Sequence, residues 1–123
     1  MNNKILIVDD DANIRELVQM TLEDEGYEMH EATDGLDALK KAREIKPAVM
    51  ILDVMMSEKS GYEVCEELKH DPETKGIFII FLTARGSLVS EITGKKKGGD
   101  DFLPKPFESA VLKQKIRNAI SRK

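Results

Sequence analysis

The chain has no tryptophan, two tyrosines and four phenylalanines in 123 residues, too few aromatic rings to build a platform on which bases or sugars stack. It has one cysteine, Cys65, so an internal disulfide is excluded and a reducing compartment is the natural expectation. The neighbours of Cys65, "YEVCEEL", offer nothing that would activate a thiolate, and a small buried apolar role is expected. Long apolar runs are missing. The start, "MNNKILIV", carries neither a signal-cleavage pattern nor a membrane span, so a soluble cytoplasmic protein with no membrane contact is expected. An excess of one charge is missing too. The 19 basic and 23 acidic residues leave a formal net charge of -4 with both signs spread along the chain, which does not support nucleic-acid binding. No low-complexity tract or linker interrupts the chain, and "KPA" at Lys46 to Ala48 reads only as a turn. Residues 1–123 are expected to form one domain.

What is present is an alternation. Short apolar, β-branched runs such as "KILIV", "VMILD" and "IFIIFLT" take turns with longer segments of helical period, five times over. Runs that are apolar on both faces belong in the middle of a parallel sheet covered by helices on both sides, so the fold class is α/β with five strands and five helices. In the first helix Ile14, Leu17, Val18, Thr21 and Leu22 form one stripe, ended by Gly26. In the second, Asp34 is placed to cap, and Leu36, Leu39 and Ala42 face the sheet. In the last, Leu112, Ile116 and Ala119 or Ile120 share a side.

The stretch "ILIVDDDANI" raises a chemical question, because four core residues run into three carboxylates whose repulsion is poorly screened at a strand end. Asp11 reads as the cap of the following helix, which leaves Asp9 and Asp10 to explain. In a parallel α/β sheet, sites form outside the carboxyl ends of the strands. There the chain places Asp9 and Asp10, Asp53, Thr83, and the segment from Phe102 to Lys105 and Pro106. Carboxylates without His or Cys suit a hard cation, and Mg²⁺ keeps several waters while taking few carboxylates plus phosphate oxygens. Asp53 can then act as a nucleophile toward phosphorus, with Mg²⁺, Lys105 and the Thr83 hydroxyl sharing the phosphoryl oxygens.

The motifs "ILIVDDD", "EATDGLDAL", "ILDVMM", "GYEV", "LTA" and "DDFLPKPF", in that order, make the whole chain similar to the receiver domains of two-component response regulators. The resemblance implies a flavodoxin-like strand order, 2-1-3-4-5, and a signalling switch rather than a turnover enzyme. It implies metal ligation by Asp9, Asp10, Asp53 and the main-chain carbonyl of Met55, and aspartyl phosphate at Asp53 with Lys105 assisting. A switch made of Thr83 and Phe102, whose ring turns inward, is implied as well. The implied partners are a sensor histidine kinase or phosphotransfer protein as donor, and a downstream protein or output domain on the face of the fourth helix, fifth strand and fifth helix. Two departures stand out: Ser57 and Ser60 replace the usual Pro and Asp, which makes a looser loop, and "GKKKGGDDF" replaces small and apolar residues.

Two other classes compete. A haloacid-dehalogenase-type phosphohydrolase also uses Asp after its first strand, and Asp9 with Asp11 has its D-x-D spacing, but that pattern wants Thr or Val at Asn13 and a larger, cap-bearing chain. A flavin carrier of this fold needs a Ser/Thr/Gly-rich phosphate loop after the first strand, and "DDDAN" would repel phosphate. His30 and His70 are expected to be ordinary residues away from the site. In the fourth helix Leu88, Val89 and Ile92 can pack, but Lys95, Lys96 and Gly99 follow on that stripe and Gly94 costs about 1 kcal/mol relative to Ala. A helix that is short or readily frayed is expected there, ended at Gly98.

Overall fold

Segments of five to seven residues, apolar in β1, β3 and β4 and mixed in β2 and β5, become strands in the computed structural model, which describes residues 2–56, 59–84 and 88–122. They are β1 (Lys4–Val8), β2 (Glu28–Ala32), β3 (Val49–Asp53), β4 (Phe78–Ala84) and β5 (Asp101–Lys105). All are parallel, in the order β2-β1-β3-β4-β5, as expected. The helices between them are α1 (Ala12–Leu22), α2 (Gly35–Ile45), α3 (Gly61–Lys69), α4 (Leu88–Lys96) and α5 (Ser109–Ser121). From β1 the chain crosses to β2 on one side and later to β3 on the other, so the crevice of the sheet opens at the carboxyl ends of β1 and β3.

The central strands are buried on both faces: every residue of β3 is buried, which is why "VMILD" has no polar alternation. Side chains alternate across the sheet with period two. Ile5, Ile7, Val49, Ile51, Ile80, Leu82 and Leu103 meet Val18 and Leu22 of α1 and Leu112, Ile116 and Ala119 of α5. Leu6, Val8, Met50, Leu52, Ile79 and Phe81 meet Ala38, Leu39 and Ala42 of α2 and Val64, Cys65 and Leu68 of α3. Cys65 is fully buried, and burial pushes its thiol up to about 12, in keeping with a packing role.

The expected caps are found. Asp11 accepts from the Asn13 N–H and Asp34 from the Asp37 N–H, while Ser60 and Glu63 form a reciprocal pair at the start of α3, each satisfying a helix N–H that has no partner in the helix. Ser60, which stands where the resemblance has Asp, thus caps α3; Ser57 lies outside the described residues.

Two stripe assignments are corrected. Leu36 is 62% exposed, because α2 buries Gly35, Ala38, Leu39 and Ala42, and Leu36 sits roughly 100° round the helix from Gly35. Leu17 is also exposed, since α1 buries Val18 and Leu22 and leaves Leu17 at the margin. In α4 one of the three expected anchors, Ile92, is exposed and Gly94 is buried, while the side chains of Leu88 and Val89 lie outside the described residues. A Cβ on Gly94 would stand 2.7 Å from Phe102 Cε1 and 2.9 Å from Phe81 Cδ2, so the residue that weakens the helix locally is the one that lets it lie on the aromatic rings. The helix ends ahead of Gly98, at φ +100°, as expected.

Candidate functional site: an acidic cluster at the strand ends

β1 and β3 lie side by side, Ile7 against Ile51 and Val8 against Leu52, and the residues that follow them bring their carboxylates together. One oxygen from each of Asp9, Asp10 and Asp53 lies within 4.8 Å of the other two. Asp9 and Asp53 are buried, whereas Asp10 is exposed. From β5, Lys105 reaches both buried carboxylates: its Nζ is 3.1 Å from Asp9 Oδ2 and 3.0 Å from Asp53 Oδ1. On the adjoining β4, Thr83 is buried and pairs in register with Pro104. Asp9, Asp10, Asp53 and Lys105 thus converge from positions up to 96 residues apart.

Electrostatics explain how so much negative charge is held. Burial is the largest influence on Asp53 and raises its pKa; the Lys105 hydrogen bond works against this, and the neighbouring Asp9 adds to it. For Lys105 burial alone would lower the pKa, but the hydrogen bonds and charges of Asp53 and Asp9 outweigh it, so the ammonium is held above the usual lysine value. Among the described residues Lys105 pairs with two of the three carboxylates, and one ammonium does not balance the charge of all three. The donors are hard oxygens with no His or Cys among them, a set that fits Mg²⁺.

The main chain completes the frame. The Met55 N–H points at Asp53 Oδ1, 3.4 Å away, and the Gly61 N–H donates to Val54 O at 3.0 Å. A Cβ on Gly61 would collide with the Asp53 carbonyl oxygen, so only glycine lets α3 start flush against the peptide that carries Asp53. "GYEV" was legible as a motif, but this close approach was not. Arg15 also escaped sequence reasoning: its Nη1 donates to the Asp9 main-chain oxygen at 2.7 Å.

Phe102 lies elsewhere. Its ring packs half-buried on Phe81, with centroids 5.9 Å apart and planes 25° from parallel, on the α2 and α3 face of the sheet. The histidines are ordinary, as expected: His30 pairs with Glu28 at 2.7 Å, and His70 Nδ1 lies 2.7 Å from Glu66 O at the end of α3.

The family model for the response regulator receiver domain matches residues 5–117. The chain belongs to that family. Among curated proteins it is 41% identical over 119 residues to a probable transcriptional regulator, ycf27, of Pyropia yezoensis, covering 97% of this chain and 48% of that protein. The chain therefore spans about half the length of the curated relatives it matches. Among solved structures it resembles a putative response regulator from Chloroflexus aurantiacus, with a TM-score of 0.95, 34% identity and coverage of 99% and 100% of the two chains. It also resembles the BeF3-activated DrrB receiver domain, with a TM-score of 0.88, 33% identity and coverage of 99% and 100%. The receiver domain is a phosphorylation-dependent signalling switch, a phosphoacceptor rather than a turnover enzyme, and the acidic cluster suits that chemistry. This sets aside the phosphohydrolase and the flavin carrier. Among the described residues no helix is long and apolar enough to cross a membrane.

Proposed function

We propose that residues 1–123 act as one receiver unit in the cytoplasm, in which Asp53 accepts a phosphoryl group from the phosphohistidine of a sensor histidine kinase or phosphotransfer protein. The observation that carries this reading is the Lys105 ammonium bridging Asp9 and Asp53 while the oxygens of Asp9, Asp10 and Asp53 converge within 4.8 Å. Asp9, Asp10, Asp53 and the main-chain carbonyl of Met55 would hold Mg²⁺, which when bound neutralises charge on the phosphoryl oxygens. A carboxylate oxygen of Asp53 forms the new bond to phosphorus, the phosphorus–nitrogen bond of the donor breaks, and its electron pair leaves with the imidazole. Lys105 already sits on Asp53 and compensates the incoming charge, and the Thr83 hydroxyl approaches from the neighbouring strand. Hydrolysis of the acyl phosphate ends the signal.

In this reading the message travels through Thr83 and Phe102. Thr83 moves to bond the new phosphoryl oxygen, and the population shifts toward the form with the Phe102 ring inward. The face formed by α4, β5 and α5 then changes its preference for a downstream protein or output domain. Relatives named as transcriptional regulators support an output in gene control, delivered outside this domain's own surface.

The test is mass spectrometry after incubation with acetyl phosphate and Mg²⁺. One phosphoryl mass should appear, and it should vanish in Asp53→Asn and on chelation of the metal. An Asp53→Asn chain labelled as fully as its parent would reassign the acceptor.

A further inference from the structure

Arg15 stands on the first turns of α1, mostly buried, with a side-chain exposure of 14%. Its fork is divided between two strands. Nη1 donates to the Asp9 main-chain oxygen at 2.7 Å, and Nε donates to Glu31 Oε1 on β2 at 2.9 Å. Glu31 also accepts from the Gln19 side chain, and its own main-chain oxygen accepts from Lys41 Nζ at 2.5 Å. The guanidinium is thus anchored on one side before it grips the other, and charge-assisted bonds to a planar fork fix direction as well as distance.

The oxygen it grips belongs to the peptide that joins Asp9 to Asp10. A peptide is planar, so fixing its carbonyl fixes the opposite direction of the Asp10 N–H and the departure of the Asp10 Cα. The other side of the same turn is held by Asp9 itself, whose Oδ1 accepts from the Asp11 N–H at 2.9 Å. Asp10 is the exposed member of the cluster, and these two bonds brace the turn that presents it on either side.

We propose that Arg15 is a positioning residue of the acidic site, which sets the Asp9–Asp10 peptide so that the Asp10 carboxylate is presented to a divalent cation together with Asp9 and Asp53. This rests on the Mg²⁺ reading given above. It makes a prediction opposite in sign to simple electrostatics. Removing a cation near a metal site, and freeing Glu31 from its partner, makes the region more negative and should tighten Mg²⁺ binding. Loss of a group that orients a ligand weakens metal binding, by roughly tenfold or more.

The experiment is calorimetric titration of Mg²⁺ into the full chain, Arg15→Met and Arg15→Lys at matched ionic strength, with thermal melts to establish folding. Arg15→Met should bind about tenfold more weakly, and its rate of labelling by acetyl phosphate should return toward that of the parent at saturating Mg²⁺. Arg15→Lys keeps the charge but cannot divide it between two acceptors, and it too should bind more weakly than the parent. It carries the test alone if Arg15→Met does not fold. Variants that bind Mg²⁺ as tightly as the parent, or more tightly, overturn the role of Arg15 and leave the site reading intact. A parent chain that binds no Mg²⁺ overturns both.

Discussion

Beneath α1 and α5 the fully buried side chains are aliphatic, among them Ile7, Ile51, Leu82, Val18, Leu22, Leu112 and Ile116, and the rings of Tyr27, Phe78 and Phe107 are only partly buried against them. Beneath α2, α3 and α4 the sheet is covered by a more varied set: alanines 38 and 42, Met50, Cys65, and an aromatic group of Phe81, Tyr62 and Phe102, with Gly94 of α4 laid on the rings. The alternation of β1, β3 and β5 puts Asp9, Asp53 and Lys105 in phase with Ile7, Ile51 and Leu103, the aliphatic side. Thr83 is in phase with Phe81, on the aromatic side, where Phe102 also packs. The groups proposed to do chemistry therefore continue the face packed on α1 and α5, and the proposed switch pair continues the face on which Gly94 lies. Close packing keeps reacting groups in register; rings that lie against a glycine meet no side chain there that would hold them in place.

The comparison can be broken first at Leu112. Leu112→Ala should cost about 3 kcal/mol, as fully buried leucines do, seen as a lower midpoint in urea for the whole chain. A much smaller loss would mean that the aliphatic face is not closely packed. Gly94→Ala sharpens the other side. The added methyl meets both rings, and an overpacking cost of about 2 kcal/mol, offset by about 1 kcal/mol of helix propensity, should leave a loss of roughly 1 kcal/mol. The Phe102 ring resonances should shift as the ring is displaced. A gain in stability with unchanged ring resonances would show that the glycine is not its seat.

A third change reads the repulsion stored on the chemical side. Without Mg²⁺, Asp10→Asn should raise the melting temperature by about 4 °C, a gain on the order of 1 kcal/mol, while weakening metal binding. Burial holds the Asp53 carboxyl above the ordinary aspartate value. Its contribution to stability is thus fully present below the unfolded pKa and is lost as pH rises through the folded one. On acidification Asp53 takes up its proton early, so the advantage of Asp10→Asn should shrink as pH falls toward the carboxylate range. An advantage that grew in acid would reverse that sign. The smallest effect concerns α4: its amides should exchange faster than those of the other four helices, and phosphorylation should alter the rate. Protection equal to α5, unmoved by phosphorylation, would remove the contrast between the faces.

Strand positions and the acidic cluster were legible because both follow from short-range rules. Apolar runs bounded by Asp or Gly mark strands, and parallel topology sends every strand end to one edge. Leu17 and Leu36 were misplaced because periodicity tells which residues share a stripe, while the depth at which a helix settles on the sheet decides whether the margin is covered. Gly61 and Gly94 were unreadable in role for a related reason: what matters at each is the neighbour a side chain would strike, and these neighbours come from β3, β4 and β5. Arg15 was one of 19 basic residues, and nothing in "NIRELV" tells that its fork spans from a main-chain carbonyl to the second strand.

The division of side chains by strand phase has a consequence for how such a domain can be rewired. A sheet packed on both sides acts as a bulkhead: the proposed acceptor Asp53 and the aromatic pair stand on opposite faces of it, and Thr83 lies one residue beyond Leu82, the register partner of Asp53. If the proposed switch holds, mutations that remodel the aromatic compartment alter who listens to the domain without touching how the proposed acceptor is loaded. One loading dock can thus serve many receivers, provided that the passage from one face to the other stays open.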